Sequence, residues 1–520
     1  MRRSRSLAVL LVATVALAAC SSDKRSIIDS GDTTATTAAA TTTAAPVTTT
    51  TAGPAQDTTA GSSAAGAVTT PAPTTTAQSD ISALPDCAAS ALDSDAAPVE
   101  IDVWHGLNAG SNQTAFEQLV AAYNGGQTKV HVNAILQGGY EDVISKYLQS
   151  GKGDLPDVVQ MPEYMTQTMI DVKQSIPAEA CIRAGNFDTA PFLPGALLAY
   201  SVGGVQWGMP FNVSDPVLFY NKAMFTAAGL DPDKPPASLD EVREDSQKIV
   251  DAGAATYGLA VDSGFDSGGG WYIEQWFAQL GEFYANNDNG RSARATQVLY
   301  DNDTGVSLLT QVQQLIDDGL AVSVGDNTSG YDNLLKLGDD KEPAAMTIAT
   351  SASLGPVLDI LAGGQFPKIG PDDVGVGPMP GPEGAKGAIV GGASMWITDT
   401  GDDAKEAAAW DFLQYLTTAQ SQSTFSAATG YIAARDDARS LDPLKTTLAN
   451  DPRFAVALDQ LNLIADAPTS AGPVLGPLRE VRTVTAQAVA QIFDGSDAKS
   501  LLDAAAQQSN ALIADYNARN

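Results

Sequence analysis

From Val99 onward the hydrophobic pattern alternates between strand-like and helix-like runs, and this limits the fold of the 520-residue chain more than any other feature. VEIDVWHG reads as a strand whose end carries Trp104 and His105, Asn112 to Tyr123 as an amphipathic helix, and VHVNAIL as a second strand. Tyr140 to Gln149 then reads as a helix and PDVVQMP as a third strand. This βαβαβ order implies a parallel or mixed sheet covered by helices. In open α/β sheets ligands sit beyond the carboxyl ends of strands, so the loops WHGLNAG, QGGYED and MPEYM are expected binding edges.

The next segment, Gly208 to Val242, is punctuated by proline and then by an apolar run, Val217 to Tyr220, with the β-branched and aromatic bias of a buried strand. Gly229 suits the position just past a helix, and Ser238 with Glu241 forms a capping box for a helix over Ser238 to Ala252. TYGLAV is expected as a strand, and the glycine-rich loop Gly264 to Gly270 precedes a helix, WYIEQWFAQLGEF, with Trp271, Gln275, Phe277 and Leu280 near one another. Val306 to Gly319 reads as a helix, PAAMTIA as a strand, and GAIVGGASMWIT as a strand with a glycine pair in its middle. The last 120 residues are mostly helical, ending with Leu475 to Asn517. No internal repeat is visible, and the length calls for two or three units.

Location is written at the N-terminus. Arg2, Arg3 and Arg5 precede a 13-residue apolar run, Leu7 to Ala19, too short to span a bilayer but suited to a signal-peptide core. It ends in Leu17-Ala18-Ala19-Cys20, which resembles a bacterial lipobox; cleavage before Cys20 would leave that sulfur to carry lipid, and ordinary signal cleavage is the alternative. Residues 21 to about 85 are Thr, Ala, Ser and Pro with almost nothing to bury, which predicts a disordered tether averaging roughly 45 Å. With Cys20 lipidated, Cys87 and Cys181 remain in an oxidising compartment and are expected to form a disulfide, two separate buried thiols being the alternative.

Charge and motifs exclude several classes. Sixty-one acidic against twenty-nine basic residues give a net charge of −32, which is unsuited to a nucleic-acid partner but not to an anionic small ligand in a locally positive pocket. HExxH, GxSxG and Walker A patterns are missing, and two histidines, His105 and His131, leave little material for a metal site or a nucleophile–base pair. His105 is expected as a satisfied core histidine. DNDTG at 301–305 lacks the later ligands of a calcium loop and reads as a polar turn.

PFNVSDPVLFYNK followed by AGLDPDKPP resembles the crossover segment of family 1 extracellular solute-binding proteins, the ligand receptors of ABC importers. WHG, GGYED, PEYMTQTMI, AMTIATSASLG, VGVGPMP, IVGGASMWI, ATGYIAA and LREVRTV also appear in that order along the chain, extending the resemblance over about residues 99 to 517. Together they are similar to the subgroup that binds sn-glycerol-3-phosphate and glycerophosphodiesters. The resemblance implies an α/β, periplasmic-binding-protein-like fold, two hinge-linked lobes with mixed sheets around a central cleft. The first lobe is expected from 99–209 plus 346–394 and the second from 210–345 plus 395–520.

The implied ligand set is Tyr140, Glu163, Ser214, Thr350, Gly392, Tyr431 and Arg482, with Trp271 as an aromatic candidate beside it. A phosphate is satisfied by a guanidinium fork, hydroxyls and a backbone N–H, which Arg482, Ser214, Thr350, Tyr431 and Gly392 supply. Glu163 suits glycerol hydroxyls, and Tyr140 or Trp271 the carbon face. The bland alternatives are an exposed ion-pair face for Arg482 beside Arg479 and Glu480, core-edge aromatics for the tyrosines, and close backbone packing for Gly391 and Gly392. The expectation is a lipid-anchored monomeric receptor without cofactor or metal on the outer face of the bacterial membrane, handing a phosphorylated polyol or glycerophosphodiester to permease subunits. An oligosaccharide receptor of the same fold and a surface glycerophosphodiester hydrolase are the rivals.

Overall fold

A computed structural model describes residues 84–520 apart from 94–97, 109, 365 and 464–467. The signal peptide, Cys20 and nearly all of the expected tether lie outside the described residues. Val99–His105 pairs in parallel with Val130–Leu136 on one side and Val158–Pro162 on the other. The helices Gly110–Gly126 and Tyr140–Gln149 make the crossovers, which completes the βαβαβ unit. Gly391–Thr398 then joins antiparallel to Val158–Pro162, followed by Met209–Ser214 and Ile432–Ala433, giving a seven-stranded mixed sheet with Ser175–Ile176 as a short extra member. Both Val158–Pro162 and Met209–Ser214 are buried at every position. Strands covered on both faces read as continuous apolar runs, not as alternation.

The second sheet has five strands in the order Ala321–Ser323, Tyr257–Val261, Ala344–Thr350, Pro216–Asn221 and Val374–Pro378. Only the fully buried Asp215 separates Met209–Ser214 in the first sheet from Pro216–Asn221 in the second. Its carbonyl accepts the Ser351 N–H at 2.8 Å, tying the crossing to the end of Ala344–Thr350. The chain returns to the first sheet before Gly391–Thr398, and the helices Leu478–Phe493 and Ala498–Asn517 pack on the second lobe against Asp303–Asp317.

Sheet membership departs from the expected lobe bounds. Ala344–Thr350 and Val374–Pro378 both belong to the second sheet, because Pro216–Asn221 offers them its two antiparallel edges. Beyond 395, Asp403–Leu416 packs on Val99–His105 and Ala419–Thr429 on Gly110–Gly126, so this stretch covers the first sheet. Its aromatic residues explain the choice: Phe412 meets Tyr123 with ring centroids 5.1 Å apart, and Phe425 meets Phe211 at 4.8 Å.

Local signals fare better. Ser238 Oγ accepts the Glu241 N–H at 3.1 Å while Glu241 accepts the Ser238 N–H at 3.3 Å, so the capping box forms and starts Leu239–Asp251. Asn302 of DNDTG caps Asp303–Asp317 by accepting the Gly305 N–H at 3.0 Å. The expected terminal helix is two: Gly495, at φ +93°, ends the first, and Asp497 caps the second. The glycine pair opens the strand Gly391–Thr398 and does not sit in its middle.

Cys87 and Cys181 are bonded, with Cα atoms 5.0 Å apart and a sequence separation of 94. A cross-link over so long a loop removes much unfolded-state entropy. The double variant Cys87→Ser/Cys181→Ser is expected to lose about 2–4 kcal/mol of unfolding free energy, read as a lower urea midpoint than that of the oxidised parent.

Candidate functional site

A cavity of about 790 Å³ opens between the lobes. Its first-lobe wall comes from Gly106 to Asn108, after the first strand, and Gly139 to Glu141, after the second. Its second-lobe wall comes from the segments after Tyr257–Val261 and Ala321–Ser323, with Thr350 at the end of a third strand. Helix Leu478–Phe493 adds Thr483 and Gln487. The cavity thus lies beyond strand carboxyl ends, where the sequence placed the loops WHGLNAG and QGGYED. Glu163 of the third loop, MPEYM, points instead into the buried junction of the lobes.

A chain of neutral hydrogen bonds builds the first-lobe side. The Gly106 N–H donates to Gln160 Oε1 at 2.8 Å, Gln160 Nε2 to Asn212 Oδ1 at 2.8 Å, and Asn212 Nδ2 to the Tyr140 hydroxyl at 2.7 Å. Gln160 and Asn212 are wholly buried, so the fixed amides hold the ring of Tyr140 in place. The Tyr140 and Tyr431 hydroxyls lie 3.4 Å apart. Burial raises both above the ordinary tyrosine range, which keeps them protonated and able to donate. Tyr431 is backed by Phe425, stacked at 5.5 Å.

Ser214, Gly391, Gly392 and Trp271 meet beneath this wall. A Cβ on Gly391 would lie 2.5 Å from the Trp271 ring and 3.4 Å from Ser214 Oγ. Gly392 sits at φ +84°, and a Cβ there would lie 2.0 Å from the Asn212 carbonyl oxygen. Both glycines therefore have a packing reason to be glycine. Trp271 is 5% exposed, and its Nε1 has no hydrogen-bond partner among the described residues. Thr350 lines the cavity while its Oγ1 accepts the Ala352 N–H at 3.3 Å.

Arg482 is placed differently from both sequence alternatives. It is buried rather than exposed, and its guanidinium is held on two sides by carboxylates. Nε donates to Glu274 Oε1 and Nη2 to Glu274 Oε2, each at 2.7 Å, while Nη1 lies 2.9 Å from Glu163 Oε1. The Tyr164 ring lies beneath the guanidinium at 5.1 Å. Burial acts to lower the Arg482 pKa, but Glu274 and Glu163 outweigh it and hold it above the usual value. Burial raises Glu163, with Arg482 opposing. The sequence reading missed Glu274; the signal was the one charged residue of the helix Tyr272–Leu280, flanked by Trp271, Tyr272, Ile273 and Trp276.

The cavity itself is acidic. Glu141, Asp266 and Asp326 line it, and among the described residues no lysine or arginine does. Arg479 stands nearby but is paired with Glu141. Burial raises the Asp266 carboxyl above its usual range. His105 is a core residue, buried with its ring 4.7 Å from that of Phe116 and its pKa lowered to about 4 by burial.

Two mixed sheets, joined through Asp215 and facing a common cleft, make a two-lobed fold. The chain belongs to the bacterial extracellular solute-binding protein family, whose model matches residues 118–455. The sn-glycerol-3-phosphate-binding periplasmic protein UgpB of Pectobacterium atrosepticum is 29% identical over 441 residues, 82% of this chain and 94% of that protein. Its Rhizobium meliloti counterpart is 28% identical over 429 residues, 80% and 94% of the two chains. Among solved structures, UgpB from Mycobacterium tuberculosis in complex with glycerophosphocholine aligns with a TM-score of 0.65 and 22% identity, covering 81% of this chain and 99% of that one. The cyclic alpha-maltosyl-1,6-maltose binding protein from Arthrobacter globiformis aligns at 0.63 and 23%, covering 80% and 99%. These relatives are named for binding solutes, not for a reaction. Among the described residues no helix is long and apolar enough to cross a membrane.

Removing one member of a buried ion pair strands the other. Arg482→Met is expected to destabilise the protein by about 3–5 kcal/mol in urea denaturation, and replacing all three charges, Glu163→Gln/Glu274→Leu/Arg482→Met, to recover much of that loss.

Proposed function

We propose that this chain is the substrate receptor of an ABC importer and that its preferred ligand is a glycerophosphodiester, with sn-glycerol-3-phosphate bound more weakly. The acidic cavity supports this order. A phosphomonoester carries about −1.5 to −2 charge at neutral pH, which Glu141, Asp266 and Asp326 oppose. A diester carries less, and a cationic headgroup on it would find those carboxylates together with the Phe265 and Tyr331 rings. A cavity of about 790 Å³ also suits a ligand larger than glycerol phosphate.

In this reading the hydroxyls of Thr350 and Tyr431 serve the phosphate and Tyr140 the carbon face, while Ser214, Gly392 and Trp271 support that wall from beneath. Glu163 and Arg482 pair behind the cavity and hold the junction of the lobes rather than the ligand. The receptor is monomeric and needs no cofactor, and Cys20 anchors it by lipid to the outer face of the cytoplasmic membrane. A neutral oligosaccharide is the second reading, favoured by the same lack of a cationic lining residue.

Isothermal titration against glycerophosphocholine, sn-glycerol-3-phosphate and maltose, with product analysis, separates the readings. The expected result is micromolar binding of glycerophosphocholine, about −8 kcal/mol, with weaker sn-glycerol-3-phosphate, no uptake of maltose heat and no turnover. Tight maltose binding overturns the phosphate reading, and hydrolysis overturns the receptor reading.

A further inference from the structure

Asp262 directly follows the strand Tyr257–Val261 and is wholly buried. No lysine or arginine pairs with it among the described residues; neutral donors surround it. Oδ1 accepts the Gly264 N–H at 3.0 Å and the Ser267 hydroxyl at 2.7 Å. Oδ2 accepts Nδ2 of Asn327 at 3.4 Å and Nδ2 of Asn333 at 3.3 Å. These donors come from two segments. One supplies Ser263, Phe265 and Asp266 to the cavity and the other supplies Asp326 to Tyr331.

The connections continue outward. Asn327 Oδ1 accepts the Asp332 N–H at 2.8 Å, and Asn333 Nδ2 also donates to the Ile348 carbonyl at 2.9 Å. The glycine loop is drawn tightly around the acid, since a Cβ on Gly268 would lie 2.1 Å from the Asp262 carbonyl oxygen. Burying a carboxylate with no counter-charge is costly. Burial pushes this one up to about 6, with Ser267 and backbone N–H groups opposing. A carboxylate does one thing here that a neutral amide cannot: it accepts on both oxygens, and so serves both segments at once.

We infer that Asp262 is a positioning residue for the ligand cleft, its two oxygens setting the spacing of the Ser263–Asp266 and Asp326–Tyr331 walls and thereby the affinity for ligand. This rests on the cleft being the ligand site, as proposed above. Asp262→Asn keeps the shape but has one acceptor oxygen. It can serve Gly264 and Ser267, and its own NH₂ then confronts the NH₂ groups of Asn327 and Asn333. The 326–333 segment is thereby released.

Asp262→Asn is expected to bind glycerophosphocholine about tenfold more weakly, as befits a lost buried hydrogen-bond set, with an unchanged or raised melting temperature. Amide hydrogen exchange should quicken over 326–333 and stay unchanged in the helices of the same lobe. The swapped pair Asp262→Asn/Asn327→Asp, in which residue 262 donates and residue 327 accepts, should recover part of the affinity, Asn333 alone remaining mismatched. Ser267→Ala, which removes a single donor, should weaken binding in the same direction and serves if Asp262→Asn does not fold. Parental affinity and exchange in Asp262→Asn overturn the inference, as does faster exchange throughout the lobe with a lowered melting temperature, or a swap that restores nothing. Should the parent bind none of glycerophosphocholine, sn-glycerol-3-phosphate and maltose, the ligand reading falls, and the exchange pattern alone decides the role of Asp262.

Discussion

The position of Arg482 between Glu163 and Glu274 is the constraint on which the relation of the two lobes depends. Glu163 follows a strand of the first sheet, whereas Glu274 and Arg482 sit on second-lobe helices, so one guanidinium spans the junction. Such a pair adds little net stability, because desolvation offsets most of the attraction, but it tolerates few geometries. Other arginines repeat the pattern. Arg294 lies across from Asp171 at 2.5 Å, Arg291 donates to the Leu198 and Ser201 carbonyls at 2.9 and 3.0 Å, and Arg479 meets Glu141. In a chain with twice as many acids as bases, these cations are concentrated where the two lobes touch.

That concentration leaves the cleft to neutral donors and acids. Tyr140 and Tyr431 offer hydroxyls fixed by the buried amides of Asn212 and Gln160, and Thr350 offers another from the end of a strand. In the proposed reading, such fixed neutral donors would orient an oxygen-rich ligand, and the acids opposite them would add selection by charge.

What was legible in the sequence was local. Alternating strands and helices and the Ser238–Glu241 box each depend on neighbours within a few residues, and each stands close to where it was expected. The strand Ala344–Thr350 was recognisable as a strand but not as a member of the second sheet, since its antiparallel partner, Pro216–Asn221, is over a hundred residues away. Arg482 shows the same limit at the site. Arg479 and Glu480 beside it suggest a solvated face, and only the approach of Glu274, 208 residues earlier, buries it. Tyr140, Thr350 and Tyr431 gather on one cavity, whereas Glu163 and Arg482 pair behind it, a distinction that short motifs do not encode.

The bond between Cys87 and Cys181 also decides how mechanical load enters the molecule. Leu84, Ala89 and Leu92 lie against the first-lobe core, and the disulfide adds a covalent attachment at the helix Ala178–Gly185. A pull on the chain before Cys87 is therefore delivered to the first lobe through a sulfur–sulfur bond, bypassing the strand Val99–His105 that would otherwise be peeled from the sheet. The second lobe has no covalent part in that attachment.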